Sequence, residues 1–304
     1  MIAHEHQPGS SFWAEVFSLS GSATIRVLPR AMIFVFIALL ATILRRYMPW
    51  VSISADVMEA PGLVLGLLLV FRTAAGYDRW WEARKLWGGI INQSRNIVVS
   101  SLAFGPANHG WRGKLVFWVI AHAQATRHVL RGERSMPELD RLLKSRSLEP
   151  IPTDAHLPTY ASSKIAALLH TACLDHQTDR FVFAQIDRER ATLMEHVGGC
   201  ERIAATPIPR VYSVTIRRFV FLYLAALSLS LVGEAGFSSM IYTFFIAYPI
   251  LTLEQIGAEL QNPFVVRSLS HIEIDEVCAA LERELTLSLE RWTDAPVQAA
   301  GSCP

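Results

Sequence analysis

The sequence predicts an all-α membrane protein with four transmembrane helices and a helical cytosolic region. Three observations predict this class: 51% of the 304 residues are hydrophobic, the mean hydropathy is +0.29, and the apolar residues gather in two pairs of long runs. Only 18% of the residues are charged. Because soluble domains carry about 25% charged residues, a membrane protein is favoured over a soluble one.

The four apolar runs are separated in a way that predicts two membrane-crossing pairs. The first run, AMIFVFIALLATIL, covers 31–44, and the second covers about 57–71. The third and fourth runs, 219–233 and 237–253, are joined by the short sequence GEAG at 233–236 and are predicted to form a membrane hairpin. A helix needs about 20 apolar residues to span a bilayer alone. Since each run is shorter, these helices should need protein neighbours.

Basic residues next to the runs predict the orientation. Three basic clusters fall on the same predicted side of the membrane, namely Arg26 and Arg30; Arg72, Arg79, Arg84 and Lys85; and Arg217 and Arg218. Cytoplasmic segments of membrane proteins are enriched in Lys and Arg. We therefore expect a multi-pass protein of the inner cell membrane with both termini in the cytoplasm. Arg45 and Arg46 are the exception to this rule.

The ends of the runs divide the chain into four predicted parts. Residues 1–98 contain the N-terminal segment, the first two membrane helices and a cytosolic extension of the second. Residues 99–216 form a helical cytosolic region, 217–258 contain the third and fourth membrane helices, and 259–304 form a C-terminal cytosolic helix and tail.

The cytosolic parts are predicted to be helical because their apolar residues recur every three or four positions. These residues are Leu115, Val116, Val119, Ile120 and Ala123; Ile165, Leu168, Leu169 and Ala172; and Ile274, Val277, Cys278, Leu281 and Leu285. The sequences GPANHG at 105–110 and SLEPIPTDAHLP at 147–158 are predicted connections between helices.

The second run carries an apolar stripe with two interpretations. Leu63, Leu67 and Phe71 are four residues apart and therefore share one face of a helix. Gly62 and Gly66 lie one position before the first two, and small residues permit close helix packing. Such a stripe commonly packs against lipid or a protein core. Alternatively, it forms the hydrophobic constriction of a pore.

The stretch YDRWWEARKLWGGIINQSRNIV, residues 77–98, mixes tryptophans with charges directly after the second run. An aromatic belt at the membrane interface explains one or two of the tryptophans. It does not explain why rings and charges continue to Arg95. We therefore expect the helix to continue into cytosolic protein, where Glu82 pairs with Arg79 or Lys85.

The sequence contains no motif for catalysis, a cofactor or a metal ion. His4, Glu5 and His6 are expected to be a solvated N-terminal segment, and Cys173 and His176 lack further ligands at matching spacing. The net charge of +1 predicts no nucleic-acid partner. A membrane carrier or enzyme would need paired carboxylates or histidines within the runs, and essentially none occur there. We expect no enzyme activity and no cofactor.

Four blocks of the chain resemble the bestrophin family of ion channels. They are FRTAAGYDRWWEARKLWGGIINQSRN at 71–96, ERIAATPIPRVYSVTIRRFVFLY at 201–223, EQIGAELQNPF at 254–264 and LSGSATIRVLPRAMIFV at 19–35. The residues that carry the resemblance as a structural signature are Arg72, Tyr77, Arg79, Trp80, Glu82, Arg84, Trp87, Pro207, Pro209, Asn262, Pro263 and Phe264.

This resemblance implies a homopentamer in the lipid bilayer, with one axial pore for small monovalent ions. It implies that each subunit contributes four membrane helices and that the second lines a narrow neck. By position relative to the Phe-Arg pair, the neck residues are Leu63, Leu67 and Phe71. A second, cytosolic constriction is expected at Ile203.

Departures from animal bestrophins bear on regulation and ion sign. In those proteins the Asn-Pro-Phe block continues into an acidic calcium clasp, whereas here it is followed by VVRSLSHIEID with only Glu273, Asp275 and Glu276 nearby. The chain thus looks like the prokaryotic branch, some members of which conduct cations. We expect a passive anion channel, with chloride slightly favoured. A monovalent cation (sodium) channel of the same fold is the main alternative, and a carrier, an enzyme or a structural scaffold are weaker ones.

Overall fold

The structure, a computed structural model, describes residues 13, 22–47, 54, 56–133, 141, 155–266 and 268–294. In these ranges the regular structure is helical, as predicted. The α-helices with defined bounds are α1 Thr24–Arg45, α2 Asp56–Phe104, α3 His109–Arg131, α4 Leu157–Leu174, α5 Arg180–Ala205, α6 Arg210–Ala235, α7 Ser239–Glu259 and α8 Ile274–Asp294. A 3-10 turn, Gly236–Ser238, joins α6 to α7.

The chain forms two compact units, and α2 contributes to both. The first unit comprises Met1–Trp80, Pro207–Pro263 and Arg267–Ser270, and so contains α1, the first half of α2, α6 and α7. The second unit comprises Trp81–Thr206, Phe264–Val266 and His271–Pro304. The boundary in α2 falls after Trp80, whereas the sequence placed a boundary after residue 98.

The first unit has a core built from one face of each of its helices. Helical spacing brings the buried residues of each helix onto one side, and the four sides meet in a single apolar cluster. This cluster consists of Val27, Ala31 and Phe34 on α1, Leu65 and Leu69 on α2, Ile216, Val220, Leu224 and Leu227 on α6, and Ala247 and Leu251 on α7.

The opposite faces of these helices are also apolar but remain exposed in the single chain. Phe36 on α1, Leu222 on α6 and Phe245 on α7 all have more than half of their surface exposed. Three stretches of the described residues are long and apolar enough to cross a membrane, namely Thr24–Arg45, Asp56–Phe104 and Arg210–Glu259. Exposed apolar faces of this extent call for lipid or further protein as cover.

The turn between α6 and α7 lies later in the sequence than predicted. Gly233, Glu234 and Ala235 continue α6, and the helix ends at Gly236, which has φ +54° and ψ −125°. This backbone conformation is strained for residues with a Cβ atom, so glycine is required. The first glycine of GEAG therefore stays helical, and the second one makes the turn.

The second unit is organised around α3, whose residues are buried on nearly all sides, including Leu115, Val119 and Ala123. The helix begins where Asn108 Oδ1 accepts hydrogen bonds from the backbone N–H groups of Gly110 and Trp111. It ends at Gly132, which has a left-handed φ of +63°. Helices α4 and α8 pack against α3, and α5 packs against α4.

The predicted apolar stripes of α4 and α8 are confirmed as their buried faces. Ile165 and Leu169 are buried on α4, and Cys278 and Leu281 are buried on α8. Of the predicted connection at 105–110, residues 105–108 lie between helices, whereas His109 and Gly110 already begin α3. Most of the predicted connection at 147–158, and the residues His4 to His6, lie outside the described residues.

Close packing against α5 explains why the second half of α2 belongs to the second unit. A Cβ atom at Gly89 would lie 2.6 Å from the His196 ring of α5, and a Cβ at Gly199 of α5 would lie 2.8 Å from the Leu86 side chain. Since real Cβ atoms do not approach other atoms this closely, glycine at both positions lets the two helices meet.

Candidate functional site

The predicted stripe on α2 is exposed in the single chain. Leu63, Leu67 and Phe71 have 78%, 56% and 59% of their surface exposed, whereas Leu65 and Leu69, on the opposite face, are buried in the core of the first unit. The stripe is therefore not packed in its own chain's core. Exposed apolar side chains of this size mark a surface that contacts lipid or further protein, or that lines a pore.

Gly62, beside this stripe, makes the close contact that the sequence predicted for the small residues. A Cβ atom at Gly62 would lie 2.6 Å from the Tyr223 hydroxyl of α6. A Cβ atom at Gly66 would meet no atom within 4 Å among the described residues. In this part of the chain, Gly62 brings α2 close to another helix and Gly66 does not.

Arg72, the residue after the stripe, is completely buried and carries a charge into the first unit. Its Nη1 lies 3.1 Å from Glu254 Oε1 of α7, and the Nε atom of Arg217 on α6 donates to the same oxygen at 2.8 Å. Gly257 leaves room for the aliphatic part of Arg72, because a Cβ there would lie 3.3 Å from Arg72 Cγ. One buried carboxylate thus ties α2 to both α6 and α7.

A second layer of polar contacts extends from Glu254 along α7. Arg30 Nη1 donates to Gln255 Oε1 at 2.9 Å and lies 3.8 Å from Glu254 Oε2. The Gln255 amide donates to Glu259 Oε1 at 2.7 Å, and Arg26 Nη1 donates to the same oxygen at 2.9 Å. Together these contacts join α1 to the end of α7.

We call this set the charged cluster; it consists of Arg26, Arg30, Arg72, Arg217, Glu254, Gln255 and Glu259. Arginine stays protonated at all physiological pH values, so four positive charges stand against two carboxylates and the sum is +2. Arg72, Glu254 and Glu259 are its buried charged members. Arg72 is held by its ion pair with Glu254, because its nitrogens have no hydrogen-bond partner of good geometry among the described residues. The cluster therefore holds the three basic segments of the first unit at one end of its helices.

The sequence predicted that these arginines share one side but missed their partners. Glu254 and Glu259 are both buried and lie just after the fourth apolar run at 237–253, where α7 comes to its end. The sequence did contain a signal for these partners. Two carboxylates end an apolar helix, and the chain has three arginine clusters that need counter-charges. Both carboxylates are held by arginines, which is the arrangement of a structural ion-pair network.

Comparison with known proteins identifies the family. The sequence model described as "Bacterial/Fungal Bestrophin protein" matches residues 1–287. The chain belongs to this bestrophin family. The resemblance seen in the four sequence blocks is thereby confirmed.

Relatives of this bestrophin cover nearly its whole length. A voltage-dependent anion channel-forming protein of Synechocystis sp. is 28% identical over 301 residues, covering 96% of this chain and 98% of that protein. A protein of the same description from Ralstonia nicotianae is 29% identical, covering 85% and 86%. A crystal structure of a bacterial bestrophin homologue from Klebsiella pneumoniae matches with a TM-score of 0.81 and 24% identity, covering 87% of this chain and 99% of that one.

Several signature residues of this bestrophin fix the region around the end of α7. Arg79 Nε donates to the Gln261 carbonyl and Trp80 Nε1 donates to the Ser270 carbonyl, both at 2.7 Å. Tyr77 stacks on Trp80 with ring centroids 6.1 Å apart. The N–H groups of the signature thus satisfy backbone carbonyls where α7 has ended.

The remaining signature residues are partly buried and partly exposed. Trp87, Pro263 and Phe264 are buried, Asn262 is half-buried, and Arg84, Pro207 and Pro209 are exposed in the connection or on the helix surface. Trp81, the remaining tryptophan of the stretch at 77–98, is 46% exposed.

The predicted partner of Glu82 is wrong. Glu82 Oε1 accepts from Arg202 Nη2 of α5 at 2.8 Å, instead of pairing with Arg79 or Lys85, and both side chains are substantially exposed. Because α5 packs along this half of α2, a cation from a different helix lies closer than those on the same helix. Exposed pairs of this kind stabilise a fold by roughly 0–1 kcal/mol.

Ile203, the predicted cytosolic constriction residue, lies on α5 in the second unit. Ile203 is 3% exposed and lies on the buried face of α5 with Val197 and Cys200. Its role as a constriction residue stays a prediction. The alternation of apolar residues on α5 here marks the core of the second unit.

One of the acidic residues after the Asn-Pro-Phe block, Asp275, is paired with arginines. Asp275 lies with one oxygen 3.3 Å from Arg127 Nη1 and the other 2.5 Å from Arg131 Nη2. Two guanidinium groups on α3 thus neutralise this carboxylate. Among the described residues, no group of three or more candidate metal ligands was found.

Proposed function

We propose that this bestrophin is the subunit of a homopentameric channel that passes small monovalent anions, chloride above all, down their gradient. The observation that carries the proposal is the exposed apolar stripe of Leu63, Leu67 and Phe71, followed directly by the buried guanidinium of Arg72. The curated relatives named as anion channel-forming proteins support it. Family and relatives indicate a channel, not an enzyme.

The stripe lines the neck of the pore. In a pentamer around one axis, each of the three residues forms a ring of neutral side chains. Rings of this kind offer the ion no binding charge and gate the pore by losing or admitting water. The buried contacts of Arg72 fix the rotation of α2 and so point the stripe away from the core.

In a pentamer, part of the exposed apolar surface of the first unit contacts neighbouring subunits. A single subunit with a short bundle of apolar helices cannot enclose a pore, whereas a ring of identical copies places the same face of each around the axis. The rest of the exposed apolar surface faces lipid, with four membrane spans formed by α1, the first half of α2, α6 and α7.

The charged cluster supports both the orientation and the ion sign. Its arginines lie at one end of the helices, and positively charged ends face the cytoplasm. In the proposed orientation the protein spans the inner membrane with both termini in the cytoplasm. Arg45, at the other end of α1, is one of the two arginines that do not follow this rule. It donates a hydrogen bond to the Val232 carbonyl near the end of α6. A net charge of +2 per subunit near one end of the neck attracts anions.

Reversal potentials in asymmetric salt test this function. The purified full chain is reconstituted in planar bilayers with a NaCl gradient, and we expect reversal close to the chloride equilibrium potential. Replacing chloride on one side by gluconate should shift the reversal potential, whereas replacing sodium by N-methylglucamine should not. Reversal near the sodium potential would support the cation alternative, and absence of current from intact assemblies would support a scaffold.

A further inference from the structure

A cavity of about 290 Å³ lies between α1, α6 and α7 in the first unit. One end is polar and is formed by Arg30, Arg217 and Glu254. The cavity belongs to the outer side of the charged cluster, since Arg72 does not line it. It is therefore separate from the stripe on α2.

The two arginines keep donors free at this polar end. Arg30 uses Nη1 in the contacts to Gln255 and Glu254, and Arg217 uses Nε in the contact to Glu254. The remaining guanidinium nitrogens of both residues have no hydrogen-bond partner among the described residues, and both side chains are about half exposed. Arginine forks of this kind bind phosphate with parallel hydrogen bonds.

The carboxylate at the polar end does not cancel this attraction. Glu254 also holds the buried Arg72 at 3.1 Å, so three arginines share one carboxylate. The whole charged cluster carries two more positive than negative charges. An anion at Arg30 and Arg217 would thus meet a net positive site.

The walls of the cavity are apolar. They consist of Phe34 on α1, Val220 and Phe221 on α6, and Leu251 on α7. Phe221 is about half exposed, so the apolar side opens to the outer surface of the helices. A site with phosphate donors at one end and aromatic and aliphatic walls at the other matches a molecule that is itself amphipathic.

We propose that this cavity binds an anionic membrane phospholipid, with its phosphate between Arg30 and Arg217 and an acyl chain against Phe34, Phe221 and Leu251. A free phosphate ion would gain nothing from the apolar walls, and a zwitterionic lipid would bring a cation toward a positive site. Arg30 directly precedes the apolar run at 31–44. It therefore lies at the depth where lipid head groups meet the hydrocarbon region.

Native mass spectrometry of the detergent-solubilised full chain tests the lipid site. The assembly is titrated with phosphatidylglycerol and, separately, with phosphatidylcholine of the same chain length. We expect retention of phosphatidylglycerol, and Arg30→Gln should weaken it about ten-fold because a charged hydrogen bond is lost. Glutamine retains an amide that can still bond to Gln255. Arg218→Gln is the matched control, since this exposed neighbour on α6 does not line the cavity.

A second variant keeps the test valid if changes in the charged cluster disturb folding. Phe221→Ser alters the wall but leaves every ion pair in place, and it should also weaken phosphatidylglycerol retention. Equal retention of both lipids, or unchanged retention in both Arg30→Gln and Phe221→Ser, would overturn the proposal. Displacement of phosphatidylglycerol by equimolar inorganic phosphate would assign the site to a soluble anion and would also overturn it.

The proposal of a lipid site and the proposal of an anion channel can be refuted independently. Lipid retention is measured without ion flow, so a protein that conducts cations, or no ions, can still bind phosphatidylglycerol. Conversely, an anion-selective current with no lipid preference would remove the lipid site and leave the channel intact.

Discussion

In the first unit, α2 leaves Leu63, Leu67 and Phe71 largely exposed, whereas in the second unit the same helix buries Ala83, Trp87 and Ile90 completely. Hydrophobicity does not distinguish the two sets. The difference lies in the neighbouring helices: α5 packs on the second half of α2, whereas none of the described residues covers the stripe. The same kind of residue is thus buried within the subunit in one half of α2 and exposed in the other.

The largest effect should come from the buried half. Trp87→Ala removes a completely buried ring from the second unit, and substitutions of this kind lower the free energy of unfolding by about 3–5 kcal/mol. Trp81→Ala, six residues earlier on the same helix and 46% exposed, should cost less than about 1 kcal/mol. Thermal unfolding in detergent measures both. Equal losses would mean that burial in the single chain does not decide the role of each tryptophan.

Glu254→Gln should have the next largest effect, in the first unit. The change leaves the buried Arg72 without its counter-charge, and breaking a buried ion pair costs about 3–5 kcal/mol. We expect the lower end, about 3 kcal/mol, because the glutamine oxygen still accepts hydrogen bonds. Glu234→Gln, an exposed carboxylate near the other end of α6, is the control. Unfolding temperatures that match for the two variants would show that Glu254 does not hold the helices together.

The contrast between the two halves of α2 also explains which features of the structure could be predicted from the sequence. The helices, their buried faces and the exposed stripe were predictable, because apolar spacing is a property of each segment alone. The partners of Arg72 and Glu82 were not, because those carboxylate and guanidinium groups come from helices distant in sequence. Ile203 as a constriction residue stays a prediction, because an apolar side chain suits a constriction and a core equally.

The two units also differ in the polar groups that they bury, which predicts a pH effect. His122 on α3 is completely buried, with Nε2 3.3 Å from Met194 Sδ. Burial, and to a smaller extent the nearby His156 and Arg190, lowers the pKa of His122 from 6.5 to about 3. The unfolded chain binds a proton below pH 6.5 and the folded one does not, so stability falls as the pH decreases below 6.5.

Between pH 7 and pH 5 this histidine should cost about 2 kcal/mol of stability. His122→Leu removes the titrating group, so the pH dependence of its unfolding should be flatter than that of the wild type by this amount. Chemical denaturation at the two pH values measures the difference. An unchanged slope in the variant would mean that His122 takes up a proton in the folded protein as readily as in the unfolded one.

The smallest effect on stability, and the most informative one, is expected in the exposed half of α2. Leu67→Ala removes a side chain that is 56% exposed in the single chain, so we expect a loss below about 1 kcal/mol. Leu69→Ala is the matched control: the same change two residues later, on the face that is 1% exposed, should cost about 2–5 kcal/mol.

Conductance measurements distinguish three possible surroundings of Leu67: the lumen of a pore, lipid, and a neighbouring subunit. If Leu67 lines the neck, alanine widens the ring and lowers the cost of wetting it, so open probability or conductance should rise while size-exclusion profiles stay unchanged. If Leu67 instead packs between subunits, the same truncation removes contact area, and the assembly should dissociate with less current. Bilayer recordings of Leu63→Ala, Leu67→Ala and Phe71→Ala, each with its size-exclusion profile, distinguish these cases. Intact assemblies with wild-type currents in all three variants would place the stripe against lipid, since lipid is the one surrounding that tolerates shortening without changing either measurement.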